Sequence, residues 1–259
     1  MATAKEILDL SESRADLMDR LETAIDKQVD KDAKALYTII VSELFGKLST
    51  TNGRIDTKAS NIRLINSLDA IYSAFQRSNL NEFIKLITKQ FDQIFKANSD
   101  YFNVMLDRNV GTTEAKNMFN AILGINQDGK LISNGYLSNV LNDLSIKADI
   151  RNNVLESVVS GKRLDNATKE LRVKIVGDKE TKGVLKTKLA DPAIDNYTNI
   201  DGLLQATYAD KIGLNDSIYQ GTKRRDSRHF CTLRKGKVFS FDEADKFKEL
   251  IGIKNSAGV

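Results

Sequence analysis

A mostly α-helical fold is predicted by three properties of the sequence. Apolar residues recur every three to four positions over long stretches, which puts them on one face of a helix. Only one proline, Pro192, occurs in 259 residues, so little in the chain removes a helix donor or clashes with a preceding turn. The 15 glycines fall mostly between the periodic stretches, where helices stop.

Taken in order, residues 4–27 place Ile7, Leu10, Leu17, Leu21 and Ile25 at helical spacing, and residues 33–48 do the same with Leu36, Tyr37, Ile40, Leu44, Phe45 and Leu48. "STTNGRID" at 49–56 reads as a loop, with Asn52-Gly53 as its turn signal. Residues 57–77 carry Ile62, Ile65, Leu68, Ile71, Tyr72 and Phe75. Residues 80–106 carry Leu80, Phe83, Ile84, Ile87, Phe91, Ile94, Phe95, Phe102 and Met105. The stripes are wide, as in a helical bundle rather than a two-stranded coil. Phe83, Phe91, Phe95 and Phe102 sit at helical spacing and are expected in the core. The expected organisation is a long-helix bundle over 1–106, a glycine-punctuated connector over 107–136, and a second unit over 137–259.

In that second unit, residues 137–177 read as two or three helices with Gly161 and Gly177 near their stops. "DKETKGVLKTKLADP" reads as a polar connector with a short helical part, and 195–212 as a further helix closed by Gly213. After Gly213 the character changes. "SIYQG" at 217–221 and "KVFSF" at 237–241 are short and β-prone, with Gly236 suited to a turn. "SFDE" at 240–243 is a capping-box pattern, and Phe241, Ala244, Phe247 and Ile251 give the following segment one apolar face. A small α+β module is therefore expected over 217–251: strand, basic loop, strand, helix.

Composition narrows the function. Hydrophobic residues make up 41% and charged residues 29%, the balance of a globular chain. A net charge of +4 does not mark a dedicated nucleic-acid wrapper, so affinity for DNA would need a local patch. The single cysteine forms no internal disulfide. No apolar run reaches the roughly 20 residues that span a bilayer, and "MATAKEILDLSESRADL" has acids where a signal peptide would be apolar. Folding in a cytoplasm and no membrane partner are the expectations.

One stretch gathers the chemistry. "DSRHFCTLRKGKVF" at 226–239 holds the chain's only histidine, His229, and its only cysteine, Cys231. Two apart on a strand, these side chains share a face about 6 to 7 Å apart, too far for direct proton transfer. Structural zinc takes four ligands, mostly Cys and His, and here one of each would need Asp226, Asp242 or Asp245. No phosphate-binding loop, nucleophile elbow or HExxH helix occurs. No catalytic residue, cofactor or metal is therefore assigned. Cys231 is read instead as a small buried apolar residue beside Phe230 and Phe239, with Arg228 holding Asp226 or a carbonyl. The overlapping stretch 222–237 is strongly basic: Lys223, Arg224, Arg225, Arg228, Arg234, Lys235 and Lys237 stand against one acid, Asp226. Arg228 aside, these are candidate contacts for DNA or an acidic partner.

"IYQGTKRRDSRHFCTLRKGKVFSFDEADKF", residues 218–247, resembles the C-terminal signature of the minor head, or head-morphogenesis, proteins of tailed bacteriophages, the phage Mu F-like group. Tyr219, Gly221, Ser227, Arg228, Phe230, Cys231, Gly236, Lys237, Phe239 and Glu243 fill the places of that signature. The helical stretch from about 146 is similar in type. His229 stands where the family usually has a proline, and residues 1–130 resemble no family. The resemblance implies a virion component made in the bacterial cytoplasm, acting in head assembly, head–tail connection or DNA packaging and ejection. Its implied partners are portal, head or tail proteins, packaged DNA and further copies of itself. The alternatives are an enzyme, a nuclease or toxin-like transferase using 218–247, and a cytoplasmic helical adaptor.

Overall fold

The structure is a computed structural model. It describes residues 3–107, 113–126, 128, 130–141, 143–211, 213, 216–218, 237–240, 243 and 246. The fold is mostly α-helical, as the sequence predicts, with two small two-stranded antiparallel pairings among the described residues, of which the sequence predicts the one in the C-terminal module.

The chain opens with α1, Ala4–Glu43, one helix of 40 residues where two segments were expected. Nothing in the stretch between them, Gln28 to Asp32, breaks a helix. Val29 and Ala33 instead continue the buried stripe of Leu21, Ile25, Leu36, Ile40 and Leu44. A capping box starts α1: the Thr3 N–H donates to Glu6 Oε2 at 2.7 Å and the Glu6 N–H donates to Thr3 Oγ1 at 3.2 Å.

The 49–56 segment is tighter than a loop. β1 (Thr50–Thr51) and β2 (Arg54–Ile55) pair antiparallel around Asn52 and Gly53. Both turn residues have positive φ, 52° and 74°, as a type I′ hairpin requires. Buried Asn61 clamps the base. Its amide donates to the Ser49 and Asp56 carbonyls at 2.9 and 2.7 Å, and its oxygen accepts from the Ser49 N–H at 3.0 Å. The stretch 57–77, read as one helix, is divided into α2 (Ala59–Leu64) and α3 (Ser67–Phe75). Between them Ile65 and Leu68 donate to carbonyls only three residues back, which tightens and turns the chain. A π turn at Gln76–Leu80 joins α3 to α4, Asn81–Leu106.

The 107–136 connector contains a helix that the glycine spacing hid. α5, Thr113–Leu123, buries Phe119 and Leu123 in the core. It stops at Gly124, φ 73°, which lies so near Gly135 that a Cβ on it would meet the Gly135 Cα at 2.4 Å. α6 (Tyr136–Leu141), α7 (Leu144–Val159) and α8 (Leu164–Ile175) follow. Gly161 and Gly177, φ 59° and 88°, sit at the expected stops. The 178–192 connector is more helical than its polarity suggests. Val184, Leu185, Leu189 and Ala190 are buried, and a π turn at Lys186–Ala190 runs into α9, Asp191–Lys211. The widened turn stands next to Pro192, where the ladder lacks a donor.

Three long helices form the spine. α4 runs antiparallel to α1: Asn79 reaches Asp32, Gln90 reaches the Leu21 carbonyl, and Arg14 lies over Tyr101. α9 runs antiparallel to α1, through Lys186–Asp26 and Arg14–Asp201, and parallel to α4. α7 and α8 pack beside this spine. The β1–β2 hairpin ties onto the turn between them, with the Ile55 N–H donating to the Lys162 carbonyl and the Leu164 N–H to the Gly53 carbonyl, both at 2.9 Å. Buried side chains from both sides of 107–136 belong to one hydrophobic cluster, from Leu21 to Tyr208.

Candidate functional site

The basic module is described at its stem. β3 (Asp216–Ile218) and β4 (Val238–Ser240) pair antiparallel, with Asp216 opposite Ser240, Ser217 opposite Phe239 and Ile218 opposite Val238. The strands predicted over 217–221 and 237–241 thus overlap the pair that forms. The predicted capping box is present: the Ser240 N–H donates to Glu243 Oε2 at 3.0 Å, and the Glu243 N–H donates to Ser240 Oγ at 3.3 Å. Glu243 and Lys246 are helical and exposed. Lys237 and Val238 are exposed and Phe239 is half-buried. Of the residues singled out above, Tyr219, Gly221, Lys223, Arg224, Arg225, Asp226, Ser227, Arg228, His229, Phe230, Cys231, Arg234, Lys235 and Gly236 lie outside the described residues, as do Phe241, Asp242 and Asp245.

The stem still has a consequence for charge. Because Ile218 and Val238 face each other, the chain leaves and returns at one place, and the basic stretch 222–237 belongs to the connection between two paired strands. That stretch carries seven cations and one acid in a chain whose sum is +4.

Sequence reasoning missed a second polar feature, a buried seam where α1, α4 and α9 meet. Asp201 accepts from the Asn98 amide at 2.7 Å and the Gln205 amide at 2.6 Å, and the Arg14 guanidinium stands 3.6 Å away. Arg14 also lies over the Tyr101 ring, 5.3 Å from its centroid. One turn along, Ser99 and Tyr208 share a hydrogen bond of 2.8 Å, and Tyr208 stacks on Phe102. Deeper in, the Tyr197 hydroxyl donates to Gln90 Oε1, and the Gln90 amide donates to the Leu21 carbonyl at 3.4 Å. Burial raises the Tyr197 phenol far above its ordinary range, which keeps it neutral and donating. At the far end of α1, Asp32 is 1% exposed and accepts from the Gln28 amide at 3.0 and 3.1 Å and from Asn79 at 3.1 Å.

The signal for these residues was present as polar side chains inside apolar stripes. Asp32 falls in register with Ile25, Val29, Leu36 and Ile40, and Asn98 and Ser99 fall between Phe91 and Phe102. Their chemistry is that of positioning. Amides meet carboxylates, the Tyr197 phenol meets an amide and the Tyr208 phenol a serine hydroxyl, and no nucleophile stands beside a base among them. Among the described residues no group of three or more histidines, cysteines, aspartates or glutamates is placed to hold a metal ion. No described helix is long and apolar enough to cross a membrane. The four phenylalanines of α4 pack as expected of core rings: Phe83, Phe91 and Phe102 are buried, Phe95 partly so, and Phe91 meets Tyr197 edge-on at 4.6 Å.

Comparison with known proteins finds no match: no family model, no curated protein and no solved structure matches this chain.

Proposed function

We propose that this chain is a structural protein of a tailed-bacteriophage particle, a minor head or portal-vertex component, with its C-terminal module as a contact surface. The observation that carries the reading is the stretch 218–247, whose Tyr219, Gly221, Ser227, Arg228, Phe230, Cys231, Gly236, Lys237, Phe239 and Glu243 fill the minor-head signature. The strand pairing of 216–218 with 238–240 and the Ser240–Glu243 capping box are compatible with it, since they fit the strand, basic loop, strand, helix order expected of 217–251, the module that carries the signature. The helical body supports a scaffold role: its buried polar groups hold helices in register and make no catalytic constellation among the described residues.

In this reading the body positions the module and the module meets the partner, a portal, head or tail protein or the packaged DNA. Lys223, Arg224, Arg225, Arg234, Lys235 and Lys237 supply the attraction, which suits phosphate or carboxylate surfaces without base-specific readout. The deciding experiment is mass spectrometry of gradient-purified phage particles produced by the host that encodes the chain. The chain is expected in the particle fraction in constant ratio to the capsid protein. Its presence only in the soluble lysate would overturn the reading and favour the cytoplasmic adaptor. Turnover lost in a Cys231→Ala variant would favour the enzyme.

A further inference from the structure

α7 is apolar on two faces, and among the described residues one of them packs into the core. Ile146, Ile150, Val154 and Val158 enter the core. On the outer side Leu144 is 66% exposed, Leu155 38% and Val159 57%, and Ala148 is exposed between them. At about 100° per residue these four positions fall within roughly 60° of one another, so they form one straight stripe along the helix. Ile62 on α2, which packs along α7, adds a further exposed apolar side chain at 43%.

The two borders of this stripe differ in charge. On one border Lys147 and Arg151 both lean on Asp69 of α3, at 3.2 and 3.6 Å. Two cations share that acid, which leaves the border positive. On the other border Glu156, with Glu170 of α8, shares Lys162, at 3.1 and 2.6 Å. Asp149 pairs with Lys174 of α8 on the same border, at 3.4 Å, so the ion pairs described there hold three acids and two cations and one acid is in excess. Helical geometry sets Arg151 and Glu156 on opposite sides of Leu155.

We propose that the outer face of α7 is a self-association surface that takes the same face of a second copy of this chain, with the two helices parallel. The charge pattern selects both the partner and the direction. Two parallel helices related by a two-fold axis along their length bring the cation border of each onto the acid border of the other. Arg151 then lies five residues behind the partner subunit's Glu156, the offset of flanking charges in parallel coiled coils. An antiparallel pair would set like border against like border, which repels. The apolar stripe supplies the central contact and the borders supply the register. The proposal stands on α7 alone and holds whether or not the chain is a virion component.

The face is short, so the dimer is weak, with Kd on the order of ten micromolar. The test is sedimentation velocity of the full chain across concentrations bracketing that value, in low-salt buffer. A dimer that grows with concentration and weakens with added salt is expected. Leu155→Glu together with Val159→Glu should leave a monomer of unchanged helical circular dichroism, since neither side chain belongs to the buried core. Arg151→Glu alone and Glu156→Arg alone should each weaken the dimer about tenfold, by setting like charges together twice across the two-fold axis. The double charge swap should restore affinity to within about threefold of the original chain. A chain that stays monomeric at about 200 μM, well above the expected Kd, overturns the proposal. So does a dimer indifferent to the Leu155 and Val159 changes, or one whose charge swaps fail to rescue each other.

Discussion

A Cβ built on Gly183 would stand 2.3 Å from the Ile175 carbonyl oxygen, closer than any permitted approach and against backbone rather than a movable side chain. Gly183→Ala should therefore force the loop at 177–183 off the end of α8 and cost roughly 2 to 4 kcal/mol. The same substitution at Gly202 meets nothing within 4 Å on a regular stretch of α9. There it should stabilise by about 0.5 to 1 kcal/mol, through the reduced freedom of the unfolded chain. Thermal melts followed by helical circular dichroism would read both, and a pair of shifts of the same sign would refute the packing described. Tyr197 offers a third case at this scale. Tyr197→Phe keeps the ring against Phe91 but leaves the buried Gln90 oxygen without its donor, a loss of about 1 to 3 kcal/mol. The double change with Gln90→Leu should recover part of that loss, because both halves of the unmet bond are then gone.

At the scale of elements, the β1–β2 hairpin is a strut. It is short, and most of its sequence is polar and exposed, yet it carries hydrogen bonds to the α7–α8 turn more than 100 residues away. Asn61 sets its geometry from beneath with three bonds to the chain on either side. Asn61→Ala should free the Ser49 N–H and the Ser49 and Asp56 carbonyls in a half-buried site, at about 2 to 3 kcal/mol. Amide hydrogen exchange should quicken at Ile55 and Leu164, the two donors that join the hairpin to that turn, while the middle of α4 keeps its protection. Unchanged exchange at both would mean the hairpin holds without its clamp. Each of the two π turns also meets α1, Asn79 reaching Asp32 and Lys186 reaching Asp26, so the widened turns stand where α1 is gripped from two sides.

At the scale of the whole molecule, the shared core and the basic stretch make separate demands. Buried side chains of α1, α4, α8 and α9 form one cluster, so the regions 1–106 and 137–211 should unfold in one cooperative transition. Circular dichroism and tyrosine fluorescence should give superimposable denaturation curves, and two resolved steps would restore the picture of independent units. The basic stretch predicts weak, sequence-independent DNA binding that falls steeply between low and physiological salt. Replacing Lys223, Arg224 and Arg225 with glutamine should lower the slope of log affinity against log salt by about three, roughly one for each cation withdrawn from a phosphate. Circular dichroism of the helical body should not change. No binding by the original chain even at low salt would turn the stretch toward a protein partner.

The sequence by itself determined the fold class, most helix positions, the stops at Gly161 and Gly177, the Asn52-Gly53 turn and the Ser240–Glu243 capping box. These features are set by local sterics and by the periodic placement of apolar side chains, and both can be read without knowing what lies opposite. The tertiary structure alone decided the rest. Gln28 to Asp32 is helical because Val29 and Ala33 find α1's neighbours, and α5 exists because Phe119 finds Phe91. The 49–56 turn became a strut because the 160–164 turn receives it. The polar seam of Arg14, Asn98, Asp201 and Gln205 has meaning only as a set, since each of its members is an ordinary helix residue until three helices bring them within hydrogen-bond reach. A polar residue inside an apolar stripe marks a buried position, but which polar group it pairs with at long range leaves no trace in the chain, and that is why the packing partners could be found only in the folded molecule.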